Sequence, residues 1–483
     1  MATTASSGGV KLLVDAKAGR ISRELFVNED IYQQEQEQIF ARSWLLVGHE
    51  SQVPKPGDYF VSCMGEESVI LCRDRESQLH VFLNSCRHRG MKVCRYDEGN
   101  TPVFTCPYHG WSYATDGKLV GVPFYKDAYH EKLDKSQWGL AEVPQMCNYK
   151  GSVWATWDKS APSFLDYLGD MRLYLDLLLD GRDGSEGCSE VIGGVQKWTM
   201  PCNWKFPAEN FAGDGYHNIS HRSVDMVGIG PSGTSRRDLG EFSSARRVNA
   251  SFPDMGHAAV CDLQAEDATY VPTYQNDPAV EEYFKQITEE RKRRLGDKAR
   301  LLGLVGTVFP NMSYLARQPR SISVWHPRGP HTTEAWHWFL VDRDVPEEVK
   351  DMLRHYFIFY SGHEVTRPDG TTGMFYIPDY PDLWEEIGKI NRELTEMSNH
   401  LLFGEDLTKD FTHPEEIHVL VKKHGDSTRL IPVNRTKRDI KATFARGGSL
   451  KKVTAPYEAR KLKVSRNSFS DSFGKWGVHI YEV

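Results

Sequence analysis

Two stretches of this chain gather side chains that bind metals. In the first, Cys86-Arg-His88-Arg-Gly90 is followed by Cys106-Pro-Tyr-His109-Gly110-Trp111, which as spacing is Cys-x-His-x17-Cys-x2-His. Two short loops each deliver one thiol and one imidazole. Such a set can hold a tetrahedral zinc ion, or a two-iron cluster with both Cys on one iron and both His on the other. Residue type does not separate these, although most zinc fingers pair Cys with Cys and His with His along the chain, whereas here each loop carries one of each and can reach across two irons. Gly90 and Gly110 would let the backbone approach inorganic sulfide and donate N–H groups to it. Unliganded core Cys and His is the plain alternative.

The second stretch is NWKFPAENFAGDGYHNISHRS, Asn203 to Ser223. His217 and His221 lie four residues apart, one helical turn, so on a helix both imidazoles project from one face and can grip one metal ion. Asp214 lies three residues before His217, and Glu209 and Asn210 open the segment, gathering carboxylate and amide groups where a histidine-bound metal needs orientation. A surface helix with two solvated histidines is the competing reading.

Positioning such groups takes a sizeable scaffold. A length of 483 residues predicts two or three domains, and 40% hydrophobic with 26% charged residues predicts a soluble globular chain. The net charge of −7 gives no basic field for nucleic acid. No run of eighteen apolar residues occurs, and the opening MATTASSGG lacks the shape of a signal peptide, so the expected location is cytoplasmic, without a membrane. Nine cysteines scattered over a long cytosolic chain do not make a disulfide framework. Apart from Cys86 and Cys106 they are read as small core residues.

In chain order, residues 1–43 start small and polar and then predict one amphipathic helix from Arg23 to Ser43. From Trp44, the runs WLLVGHE, DYFVSC, SVILCR, HVFLN and CNYKGSVWATW predict a small antiparallel β domain over 44–160 whose loops carry the Cys and His residues. Over 161–402 the patterns mix. SFLDYLGDMRLYLDLLL predicts a helix, GGVQKWTMPCNWKF a strand leading to the histidines, and residues 225–278 loops covering a site. AVEEYFKQITEERKRRLGDKARLL predicts a helix with a solvated charged face, and VFPNMSYL, SISVWHP and TEAWHWFLVDR predict strands. Asp344, with Glu347 three residues on, reads as an N-cap, and Pro381 as the opening of a last helix to about Leu402. The tail 403–483 is basic and reads as irregular, with no assigned role.

CRHRG with CPYHGW, followed by NWKFPAENFAGDGYHNISH, GTVFPNMSYL (Gly306 to Leu315) and SVWHPRGP (Ser323 to Pro330), resembles the large (α) chain of a Rieske non-haem iron ring-hydroxylating oxygenase, from about Trp44 to about Trp384. Within that family the likeness is greatest to dioxygenase chains that act on polycyclic or substituted aromatic hydrocarbons. The resemblance implies an α+β fold: a small all-β Rieske domain plus a helix-grip (START-like) catalytic domain in which a curved antiparallel sheet holds a long helix. It implies a [2Fe-2S] cluster on Cys86, His88, Cys106 and His109, with Trp111 and Tyr113 packed beside it. It further implies a mononuclear Fe(II) on His217, His221 and one carboxylate, the open arrangement that oxygen-activating iron uses. The family's acid precedes the last helix after Gly-x-Phe. Here GMFYIPDYPDLW departs from the usual Glu-x-Asp-Asp, and counting back from Trp384 favours Asp379, then Asp382, with helix capping the plain role for either.

By the same resemblance, Asn210 matches an amide near the iron. Asp214 matches an acid that, in a head-to-tail trimer, bridges the iron ligand His217 and the cluster ligand His109 of a neighbouring copy. Phe211, Phe357 and Phe375 are candidates for an apolar substrate pocket, against simple core packing. The implied activity is that of a terminal oxygenase component: electrons from NADH, passed by a reductase and a ferredoxin, and O2 dihydroxylate an aromatic ring to a cis-dihydrodiol, with a small β chain completing an α3β3 assembly. Two rivals stand beside it. One is a Rieske monooxygenase or demethylase in an α-only trimer, and the other a non-catalytic Rieske electron carrier with a ligand-binding domain and no mononuclear iron.

Overall fold

The computed structural model describes residues 13–213, 247–266, 278–316, 320–359, 364–366, 372–374, 396–397, 400–401, 404–436, 438–475 and 477–483. The chain divides into two compact units, Met1–Phe375 and Tyr376–Val483.

The amphipathic stretch after Arg23 is not one helix. It divides into α1 (Glu24–Val27) and α2 (Glu29–Glu35), and α2 runs into a π-helical turn at Gln36–Phe40. Asn28 makes the division: its backbone is extended, and its side chain accepts the Ile31 N–H at 3.1 Å, capping α2. Alternating residues then build three small antiparallel sheets. One has the order Leu79–Leu83, Glu67–Arg73, Asp58–Met64, Glu98–Asn100; a second Leu119–Gly121, Ser112–Ala114, Val103–Thr105; a third Gln145–Tyr149, Ser152–Thr156, Leu45–His49. Ile70, Cys72, Phe82, Phe104, Tyr113 and Leu119 form a core to which Cys86 and Cys106 themselves belong, so the two ligand loops are rooted in packed side chains.

The next sheet has seven strands, all antiparallel, in the order Ser189–Met200, Thr333–Asp342, Ser321–Pro327, Met312–Leu315, Leu301–Val308, His257–Leu263, Arg247–Phe252. Helices α3 (Phe164–Leu168), α4 (Met171–Leu179) and α5 (Lys205–Phe211) share one core with it, Met171, Leu175 and Leu178 being fully buried. Helix α6 (Pro278–Leu295) packs on α7 (Glu347–Phe359), which lies along the edge strand Ser189–Met200. The architecture is thus α+β, an all-β domain joined to a mixed helix-and-sheet domain.

Several local readings need correction. The helix read across Phe164–Leu179 breaks at Gly169, where φ is +50°. Within 225–278, Arg247–Phe252 and His257–Leu263 form the outer hairpin of the sheet, with Pro253, Asp254 and Gly256 at its tip, while 225–246 and 267–277 lie outside the described residues. Helix α7 begins at Glu347, leaving Asp344 in the preceding turn and not at the N-cap. The last helix expected from Pro381 lies outside the described residues, except that 396–397 and 400–401 are helical.

The tail is not irregular. In the second unit a six-stranded sheet (Glu405–Asp406, Ile417–His424, Ser427–Asn434, Tyr481–Glu482, Val453–Ala455, Arg460–Leu462) accompanies a three-stranded one (Phe411–Thr412, Ile440–Arg446, Ser468–Phe473). They enclose their own core, with Ile417, Val421, Leu430, Phe444, Phe469 and Tyr481. Burial alternates along Ser427–Asn434, so the charged residues occupy outward positions of ordinary half-buried strands. Among the described residues no helix is long and apolar enough to cross a membrane.

Candidate metal centres

The two ligand loops share one backbone design. Cys86 N–H donates to the Met91 carbonyl at 2.8 Å and Gly90 N–H to the Cys86 carbonyl at 2.8 Å; Cys106 N–H donates to the Trp111 carbonyl at 2.8 Å and Gly110 N–H to the Cys106 carbonyl at 3.0 Å. Each turn closes through a residue of positive φ, +71° at Gly90 and +72° at Gly110. These four N–H groups close the two loops. At Gly110 space is a second constraint, since a Cβ would come within 2.9 Å of Pro123 Cγ.

The shared design places like beside like. Cys86 and Cys106 are both buried, at 3% and 2% exposure, in the same small core, and are near enough for each thiol to influence the other. The His88 and His109 rings meet edge to face, 4.6 Å apart, with His109 exposed. Tyr113 Oη lies 3.2 Å from Cys86 Sγ and accepts the Arg87 N–H at 3.1 Å. Trp111 stacks on His88 with ring centroids 5.1 Å apart, and the Tyr108 ring lies 3.8 Å from that of His109.

Burial is the largest influence on the Cys106 thiol and holds it above its usual value, while the Tyr108 and His109 backbone N–H groups act the other way by favouring thiolate. Burial, with the positive charges of His109 and Arg89, lowers His88 and favours the neutral imidazole that metals bind. Nδ1 of His88 is buried without a hydrogen-bond partner. Leaving such an atom unpaired costs about 1–3 kcal/mol, a penalty that a metal bond would remove. Paired buried sulfurs next to paired imidazoles, one with an idle nitrogen, fit a two-iron cluster with thiolates on one iron and imidazoles on the other. A single tetrahedral ion would need all four donors about one point, and among the described residues no three His, Cys, Asp or Glu come together in that way.

For the second centre, Asp214, His217, His221, Asp379 and Asp382 lie outside the described residues, as do Phe375 and the side chain of Phe357. Asn210 is half-buried in the last turn of α5, and the neighbouring Phe211 ring packs 5.7 Å from that of Trp325 at the margin of the main core. Helix α5 is held on one side by the sheet, where Thr307 Oγ1 donates to the Ala208 carbonyl at 2.7 Å. On the other side it is held by Glu35, which accepts from Trp204 Nε1 at 2.9 Å and Lys205 Nζ at 2.5 Å. Nothing in the sequence set Glu35 apart from the other acids of its helix.

A family model of the Rieske [2Fe-2S] domain matches residues 43–138, and one of the ring hydroxylating alpha subunit catalytic domain matches residues 181–372. Biphenyl 2,3-dioxygenase subunit alpha of Rhodococcus jostii (strain RHA1) is 40% identical over 74% of this chain and 77% of its own length. Benzene 1,2-dioxygenase subunit alpha of Pseudomonas putida is 39% identical over 75% of this chain and 80% of its own. The crystal structure of naphthalene 1,2-dioxygenase from Rhodococcus sp. bound to indole superposes with a TM-score of 0.61 at 33% identity, covering 74% of this chain and 82% of that one. With a paired-Cys, paired-His site in its first domain, a helix-bearing antiparallel sheet in its second, and likeness of this extent across both, the chain belongs to the α subunits of the aromatic-ring-hydroxylating dioxygenases.

Proposed function

We propose that the protein is the terminal oxygenase component of a multicomponent system in which electrons from NADH arrive through a reductase and a ferredoxin, and an aromatic hydrocarbon is converted with O2 to a cis-dihydrodiol. The observation that carries this reading is the Cys-pair and His-pair site in the same chain as the His217 and His221 segment. When bound, the cluster takes up and passes on single electrons and the mononuclear iron activates oxygen. The protein's part is to hold and orient. Buried Cys86 and Cys106 anchor the inner side of the cluster, and His88 and His109 present its outer side toward a partner surface. His217, His221 and Asp379, with Asp382 as the fallback, hold the second iron, and Asn210 lies beside it. Asp214 accepts N–H groups from His217 and from His109 of a neighbouring copy, which fixes both tautomers across a head-to-tail trimer. A small β chain completes the assembly, in the cytoplasm. Residues 44–160 then act as the electron-accepting domain and 161–402 as the catalytic one.

The test is product identification. Purified protein with reductase, ferredoxin, NADH and a panel of arenes yields a cis-dihydrodiol. A monohydroxylated or demethylated product would reassign it as a monooxygenase, and an intact cluster with no product from any arene would make it an electron carrier.

A further inference from the structure

Helix α5 is the last described element before His217 and His221, and its first turn is gripped by the N-terminal segment. Asn203 Nδ2 donates to the Phe26 carbonyl at 3.2 Å and to the Pro330 carbonyl at 2.9 Å. The Phe26 and Phe206 rings stack 4.4 Å apart, and Phe40 meets Trp204 edge to face at 5.0 Å. At the centre is Glu35, 7% exposed. One carboxylate oxygen accepts from Trp204 Nε1 and the other from Lys205 Nζ, whose ammonium lies 5.1 Å and 5.6 Å from the centroids of the Trp204 and Phe26 rings. A carboxylate this buried requires partners. Both come from consecutive residues at the start of α5.

The backbone is shaped for this grip. Glu35 ends α2, and the next five residues form the π-helical turn, where Ala41 N–H donates to the Gln36 carbonyl at 3.0 Å. In an α-helix residues five apart point about 140° from each other. The wider turn narrows that angle, so that Glu35 and Phe40 both reach Trp204. Such turns are uncommon and are found often at functional sites.

We propose that Glu35 is a positioning residue for the iron site: by holding Trp204 and Lys205 it sets the rotation of α5 about its axis, and so the placement of Asn210 in the last turn of that helix. This rests on His217 and His221 being the iron ligands, as proposed above.

Two variants test it in the full-length protein. Glu35→Gln keeps the volume but offers one acceptor oxygen and no charge; Glu35→Asp keeps the charge but is too short to reach both donors. Iron in excess of the cluster's is titrated against a chelator, with cluster absorption, sulfide content and thermal midpoint recorded on the same sample. The affinity for this iron is expected to fall about tenfold in Glu35→Gln, and by less in Glu35→Asp, with absorption and sulfide unchanged. Adding Lys205→Met to Glu35→Gln removes the stranded ammonium and recovers stability without recovering iron affinity. Full affinity in Glu35→Gln, or its recovery in the double variant, would overturn the proposal by showing that Glu35 only neutralises Lys205. If Glu35→Gln does not fold, Glu35→Asp and the double variant decide by the same criteria. Wild-type protein with no iron beyond the cluster's would overturn the ligand assignment itself, which separates that failure from this one.

Discussion

Removing one buried hydroxyl, in Tyr113→Phe, should lower the reduction potential of the cluster without dislodging it. Tyr113 is fully buried, and its Oη sits 3.2 Å from Cys86 Sγ. Once Cys86 is a metal-bound thiolate only the tyrosine can donate, so the hydrogen bond runs toward a sulfur whose negative charge grows on reduction. Hydrogen bonds to charged groups contribute about 1.5–3 kcal/mol. Because Cys86 would ligate the iron that the two His do not, only part of that energy depends on redox state, about 1 kcal/mol, or roughly 40 mV for a one-electron couple. The sign is fixed: losing the donor disfavours the reduced form, and the potential falls. Phenylalanine fills the same space, and the one other group affected is the Arg87 N–H, which loses its acceptor. Redox titration followed by the electron-resonance signal of the reduced cluster, with iron and sulfide content as controls, measures the shift. An unchanged or raised potential at full cluster content would refute the assignment of Tyr113 as a donor to the cluster sulfur.

Other consequences follow from the same geometry. Gly110→Ala should give protein deficient in cluster, seen as lost visible absorption, because the loop needs φ of +72° and a methyl group would meet Pro123 at 2.9 Å. Asp342→Asn should destabilise the protein by about 3–5 kcal/mol in denaturant titration, because Arg320, at 1% exposure, has its Nη2 2.7 Å from Asp342 and would be left as a buried uncompensated charge. Burial lowers His49 and His337 from 6.5 to about 4 in the folded protein. The unfolded chain then binds protons that the native state refuses, so stability is full above pH 6.5 and declines by roughly 3 kcal/mol per histidine as the pH falls to about 4. A denaturant midpoint constant over that range would contradict this, and His49→Gln should flatten the slope. Asp214→Asn should load both metal centres yet reoxidise slowly when a reduced sample meets substrate and oxygen; rapid single-turnover reoxidation, or activity as a monomer, would rule out the bridge.

Much of the first centre was legible because metal ligation is written in residue type and short spacing. Cys86 with His88, and Cys106 with His109, each fall within one tight turn, and the core beneath them comes from alternating strands such as Glu67–Arg73. The positive φ that Gly90 and Gly110 adopt could not be read from spacing, because it shows only in the folded loops. The C-terminal sheets escaped because a strand such as Ile417–His424 carries Lys422, Lys423 and His424 at one end, which obscures its period, although Ile417 and Val421 point into a core. The outer hairpin Arg247–Leu263 was hidden by the turn residues at its tip. Glu35 illustrates a deeper limit. In the sequence it is one acid in an amphipathic helix, and its partners Trp204 and Lys205 lie some 170 positions away, a contact that only the folded chain displays.

The account turns on one chain holding two distinct iron centres, and metal and acid-labile sulfide analysis of the purified protein, read together with its electron-resonance spectrum after reduction, tests that most directly. A Rieske-type signal is expected, with sulfide matching the cluster and additional iron that Asp379→Ala loses while the cluster signal stays. Zinc without labile sulfide, or cluster iron with no further iron in the wild-type protein, would contradict it.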